Sequence, residues 1–400
     1  MQGGITAVRG WVAVLVGGAV LVGVALALDA SDAAPVWLVA ALQAVGGLAV
    51  IFGSCEAMIL SVEGIAKRAR MNRFVAGLMA GLASNIPELV MLGFVVAAEP
   101  RIGFIVVLLT LHVGAAVFGV YSGLLPRDAE GHARLPAPLV KLSTDLYACA
   151  GAAFVGLGAI MMLMNVFDAG DYRGEALGAA DLYVLAGALL LVEVVSVVRL
   201  LARFSSDGEE ASAAELTATD EPPRAEAGAS DEPPSVGTIV FFGLLGVATS
   251  LLGGHAVGDF AEVLVDGLTE AGYSDMVGAL ILSVFASAGA SVMIATAHLK
   301  GAHDIALANA SGQINQVPFV VLPVVLILLA AFSQTGVIPT QPHGGVLAID
   351  LETTMVVFLA FPSMLLLWKA VQDDGKVSWV ETSTMVAIFS LTIYFLAVHG

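Results

Sequence analysis

Long apolar runs follow one another along nearly the whole chain, interrupted by Pro, Gly and clusters of charge. A hydrocarbon core about 30 Å thick is crossed by about 20 apolar helical residues, and eleven runs are of that size. They lie roughly at 8–28, 36–62, 73–97, 102–125, 139–167, 179–203, 237–258, 275–299, 304–332, 347–369 and 378–398. The pattern predicts an all-α polytopic membrane protein of about 11 transmembrane helices. The first run, from Trp11 to Leu28 after Arg9, also has the outline of a signal peptide, although it is long for one.

Loop charges orient these helices. With the N-terminus in the cytoplasm, 14 of the 16 Lys and Arg fall on the cytoplasmic side, including the cluster Lys67, Arg68, Arg70 and Arg73. Only Arg101 and Arg173 fall outside, so the positive-inside rule predicts a multi-pass protein of the cell membrane with its C-terminus outside. The one break in composition is 205–236, where nine acids face a single base, Arg224. It reads as an acidic, disordered cytoplasmic linker, either a tether or a regulatory segment. The chain then divides into an extra N-terminal helix (1–35), a five-helix unit (36–204), the linker and a second five-helix unit (237–400). Five is odd, so the second unit enters the membrane with the opposite orientation, which is the topology of an inverted repeat.

Composition agrees: charged residues are 12% of the chain against about 25% in soluble domains, and mean hydropathy is +0.93. The net charge of −18 argues against nucleic acid as a partner and leaves the lipid bilayer and inorganic cations. Acid-rich exposed segments with only five Lys suit a halophilic archaeon, where hydrated carboxylates keep surfaces soluble. Cys55 and Cys149 sit in apolar runs and read as small core residues, and no cofactor is expected.

Chemistry is sought where polar residues interrupt apolar helices. The third run contains Ser84-Asn85-Ile86-Pro87-Glu88, with Glu88 near its middle. An acid there is costly to insert and marks an ion pathway by default. Pro87 breaks the hydrogen-bond ladder, so a carboxylate, an amide, a hydroxyl and freed carbonyls converge as hard oxygen ligands for Ca²⁺, Na⁺ or a proton. The eighth run aligns with the third without a gap, placing Ser287 over Asn85 and Ala290 over Glu88, with Ser291 next. The second half has thus lost its acid. In the ninth run Asn309, Gln313 and Gln316 share one helix face, while Asn315 is a further amide. The stripe suits a lined cavity or hydrogen bonding between helices. Glu193, Glu56 and His112 are further polar groups inside apolar runs, each able to relay protons, serve as a second acid or pair locally.

On these residues the chain resembles the calcium/cation antiporter superfamily. Ser84-Asn85-Ile86-Pro87-Glu88 is similar to the Gly-Asn-x-Pro-Glu break of the cation/proton exchanger branch, that of the Ca²⁺/H⁺ antiporters. Gly312-Gln313-Ile314-Asn315-Gln316, leading to Pro323, is similar to the Gly-Ser-x-x-Gln-Ile stretch of its second repeat. The resemblance implies a secondary active antiporter that exports Ca²⁺ in exchange for H⁺ or Na⁺ by alternating access, with Glu88 as the ion-binding carboxylate. Three positions depart: Ala290 replaces the second acid, Ser84 replaces the opening Gly, and the Gly-Ser-x-x-Ser-Asn element of the first repeat reads Thr110-Leu111-His112-Val113-Gly114-Ala115. One carboxylate balances one monovalent charge better than Ca²⁺, so Na⁺/H⁺ exchange on the same fold is the alternative. An intramembrane enzyme is disfavoured, because Gly289-Ala290-Ser291 has no histidine base on a later helix. The inverted repeat favours a transporter over a channel.

Overall fold

The computed structural model describes residues 2–69, 73–166, 176–206, 234–299, 301, 303–339, 345–372 and 375–399. Its helices are α1 (Gln2–Ala30), α2 (Val36–Arg68), α3 (Arg73–Ala98), α4 (Pro100–Leu124), α5 (Ala137–Val166), α6 (Ala179–Ser206), α7 (Val236–Glu270), α8 (Asp275–Leu299), α9 (His303–Gln316), α10 (Leu322–Thr335), α11 (Leu351–Gln372) and α12 (Trp379–His399). Most of the acidic linker, 207–233, lies outside the described residues. Among them nine helices are long and apolar enough to cross a membrane, α9 and α10 together counting as one, and apolar stretches Asn85–Ala98 and Asp275–Ala288 lie within α3 and α8. Each of the eleven apolar runs thus coincides with one of these helices or, for the ninth, with the α9–α10 pair.

Helix packing exchanges between the two halves. α2 lies along α7 and α5 along α11, while α4 packs on α12 as α10 packs on α6. α3 contacts α7 and α2 contacts α8. That is the symmetry expected of two five-helix units. α1 stands outside it and runs along α2. Glycines permit the closest crossings: a Cβ on Gly18 would sit 2.8 Å from the Gly46 carbonyl oxygen, and one on Gly253 would sit 3.0 Å from that of Gly47.

The most enclosed helix is α4, where Ile105, Val106, Val107, Leu108, Leu109 and Leu111 have no exposure. Large apolar side chains such as Val184, Leu191, Val240 and Leu244 point outward instead, as a lipid-facing surface requires. Two features depart from the apolar pattern. α7 runs twelve residues past the predicted end, through the charged residues Asp259, Glu262, Asp266 and Glu270. The ninth crossing is not continuous: a π-helical turn, Val317–Val321, separates α9 from α10. Pro318, which has no N–H to donate, lies in that turn.

Short ladders join the loops at each end. β1 (Ala133–Arg134) pairs antiparallel with β4 (Lys376–Val377), and β2 (Ala176–Gly178) with β3 (Gly345–Ala348). Arg127, Arg134 and Lys376 gather at the β1–β4 end, and Arg101 lies among acids at the other.

Candidate functional site

The site is assembled from four helices. Pro87 inside α3 leaves the Ala83 carbonyl without its ladder donor, and Asn85 and Glu88 follow one another on one helix face. The Asn85 amide donates to Oε1 of Gln316, at the end of α9, at 2.8 Å. Gln313, one turn earlier, faces α4 where that helix offers Gly114: a Cβ there would come 3.7 Å from the Gln313 Oε1. On α2 the buried Cys55 lies within electrostatic reach of the Glu88 carboxyl.

What distinguishes this place is unmet hydrogen bonding. Glu88 Oε1, both amide atoms of Gln313 and Oδ1 of Asn315 are sealed from solvent and have no hydrogen-bond partner among the described residues. A buried polar atom left unpaired costs about 1–3 kcal/mol, and in the bilayer no bulk water relieves it. Atoms of this kind call for water or an ion as their partner, and those of Glu88 and Gln313 lie on the α3 and α9 helices that the Asn85–Gln316 bond joins. The oxygens are carboxylate and amide, the hard donors that suit Na⁺, Ca²⁺ or a proton.

The opposite face of α9 carries a network that the apolar pattern did not reveal. Ser311 Oγ lies 2.6 Å from Ser143 Oγ and 2.8 Å from the Tyr147 hydroxyl, both on α5, and Asn315 donates to Ser143 at 3.1 Å. These bonds fix the rotation of α9 and so keep Gln313 and Gln316 turned towards α3 and α4. A signal was present, since Ser143 with Tyr147 and Ser311 with Asn315 are both i, i+4 pairs in apolar runs.

The remaining predicted residues are placed less centrally. Asn309 is half-buried on the Gln313 face. Ser287 is buried on α8 but donates to its own helix, to the Ser283 carbonyl at 2.9 Å, and Ser291 is half-buried beside Ala290. The Ser84 side chain lies outside the described ones. His112 is a brace between α4 and α11, with Nε2 at 3.4 Å from the Val356 carbonyl and Nδ1 at 3.3 Å from Ser363 Oγ, which is the local pairing reading. Glu193 is half-buried on α6, in line with the buried Leu182, Ala186 and Leu189, and no hydrogen bond or ion pair joins it to Glu88 among the described residues. Glu56 is half-buried on α2, next to Cys55.

The two mouths of the bundle differ in charge. At one, Arg101 of α4 bonds Asp350 at 2.8 Å and Asp275 at 3.0 Å, and also Glu352, thereby joining the starts of α4, α8 and α11. Glu99 beside it is held above the ordinary carboxylate range, first by burial and then by Asp266, Asp275 and Glu262. At the other mouth Arg127 donates to the carbonyls of Gly131, Val377 and Ser122 and to Thr382, and stacks 3.8 Å above Trp379.

Known proteins place this architecture. Residues 238–398 match the family model described as sodium/calcium exchanger protein. The fold is similar to that of the H⁺/Ca²⁺ exchanger CAX, with a TM-score of 0.63 at 12% identity over 96% of this chain and 90% of that one. It is also similar to native YfkE, with a TM-score of 0.58 at 13% identity over 97% of this chain and 99% of that one. A second YfkE structure, described as a selenium-substituted Ca²⁺/H⁺ antiporter, gives 0.58 at 15% identity over the same shares. No curated protein sequence matches the chain. Residues 238–398 thus match the sodium/calcium exchanger protein model, and the whole chain has a fold similar to that of these solved exchangers.

Proposed function

We propose that the chain is a secondary active antiporter that exports Ca²⁺ in exchange for H⁺ or Na⁺, with Glu88 as the carboxylate that binds cation and counter-ion in turn. The observation that carries the reading is the unpartnered, sealed Glu88 oxygen on α3, the helix whose Asn85 bonds Gln316 of α9, in an apolar bundle of exchanger fold. Asn85 and Gln316 hold the two broken helices together, and Gln313 and Asn309 supply amide oxygens. Competition of the two ions for one carboxylate couples their fluxes, and movement of one helix group against the other exposes the site to each side alternately. Ser84, Ser287 and Ser291 stand as further ligands at the breaks, and Glu193 and Glu56 as candidate second acids. The N-terminus and the acidic linker are cytoplasmic on this reading, and the −18 charge belongs to surfaces and linker.

The missing second acid, Ala290, favours a second reading on the same fold. A lone carboxylate balances one Na⁺ or H⁺, whereas Ca²⁺ retains an uncompensated charge in a low dielectric. Flux in proteoliposomes separates the two. Ca²⁺ uptake driven by a pH or Na⁺ gradient supports Ca²⁺ exchange. Na⁺ uptake driven by a pH gradient, with no Ca²⁺ movement under either gradient, supports the monovalent reading and removes the first.

A further inference from the structure

Outside the apolar bundle, the loop between α4 and α5 gathers Asp128, Glu130 and His132 at the basic mouth, and their donor atoms lie within 4.8 Å of one another. Nδ1 of His132 is 3.8 Å from a carboxylate oxygen of Asp128 and 3.8 Å from one of Glu130, too far for a hydrogen bond to either. That nitrogen is itself sealed from solvent and has no other hydrogen-bond partner among the described residues. A buried imidazole nitrogen aimed between two carboxylates, yet bonded to neither, lacks a partner that fits the gap. Two ligands about 2.1 Å from one metal ion, at angles of about 110–130°, stand about 3.4–3.8 Å apart, and His132 Nδ1 is 3.8 Å from each carboxylate.

The loop presents the acids in usable form. Asp128 Oδ1 accepts the backbone N–H of His132 at 2.9 Å and that of Glu130 at 3.1 Å. These two bonds fix the orientation of the Asp128 carboxyl in the loop. Glu130 is the most exposed of the three, at 76%, and forms the open side through which an ion would arrive. Lys376 approaches Asp128 to 3.8 Å and is the competing cation. Beneath the loop a pocket of about 280 Å³ extends to His303 and Leu307 in the first turns of α9, the helix that carries the amide stripe.

We propose that Asp128, Glu130 and His132 form a binding site for one first-row divalent metal ion of the Zn²⁺ type, separate from the transport site. Two carboxylates balance the charge of such an ion. The imidazole selects it over Ca²⁺, which takes six to eight oxygens. The site lies where its occupancy bears on the start of α9, and it does not rest on the transport reading.

The test is Zn²⁺ binding by equilibrium dialysis at pH 7.5, with purified full-length chain carrying Glu88→Gln so that the transport carboxylate is absent. The expected result is one bound Zn²⁺ per chain, weakened at least tenfold by adding His132→Gln or Asp128→Asn and strengthened several-fold by Lys376→Gln. Calcium in tenfold excess leaves Zn²⁺ bound. Gel filtration and circular dichroism of each variant ensure that folded protein is compared. Absent binding, binding unchanged by His132→Gln, or displacement by equimolar Ca²⁺ would each overturn the proposal.

Discussion

Replacing Arg101 by Ala removes the clamp that joins the starts of α4, α8 and α11. Hydrogen bonds to charged groups contribute about 1.5–3 kcal/mol each when enclosed. Here the guanidinium is 30% exposed and its acids 30–36%, so screening moves each bond towards the roughly 1 kcal/mol of surface pairs. Three bonds, together with the repulsion of the stranded carboxylates, come to about 2–3 kcal/mol. For a chain of this size that is a fall of about 3 °C in Tm, measurable by differential scanning fluorimetry in detergent. Arg101→Lys, which keeps the charge without the fork, recovers about half. A Tm within about 1 °C of the parent at pH 7 would refute the reasoning.

Other consequences follow from the same contacts. Glu99, raised by burial and neighbouring acids, binds its proton more tightly folded than unfolded, so its ionisation destabilises the protein as pH rises past the ordinary value. Glu99→Gln therefore stabilises by roughly 0.5 kcal/mol at pH 8 and by nothing at pH 3.5, as read from Tm against pH. Tyr147→Phe removes a hydroxyl that meets Ser311, costs about 1 kcal/mol of stability and loosens the rotation of α9. Its apparent KM for the transported cation rises several-fold while expression holds; an unchanged KM would make the network purely structural. Gly253→Val drives a side chain against the Gly47 carbonyl, 3.0 Å from its Cβ, and separates α2 from α7 at a cost of about 1–3 kcal/mol, seen as lower Tm and slower flux.

The helices were legible because a bilayer demands long apolar runs whatever else the sequence does, and the charge of their loops is as visible as their length. The break at Pro87-Glu88 was legible for the same reason, since an acid and a proline stand out in an apolar helix. The end of α7 was not, because Asp259, Glu262, Asp266 and Glu270 are charged and helical at once, and hydropathy records only the first. Arg101 looked like an exception to the loop charges, and its role depends on three acids 174 to 251 residues away. Ser143 and Tyr147 resemble ordinary packing residues until α9 is laid against α5. Ser287 shows the converse, a hydroxyl that matched Asn85 in register but spends its hydrogen on its own helix.

The central claim is that Glu88 binds the transported ions, and the direct measurement is ⁴⁵Ca²⁺ uptake into proteoliposomes under an imposed pH or Na⁺ gradient, for the parent and for Glu88→Gln. The account predicts gradient-driven uptake by the parent and its loss in Glu88→Gln at unchanged Tm and reconstitution, with partial activity in Glu88→Asp. Undiminished uptake by Glu88→Gln would contradict it.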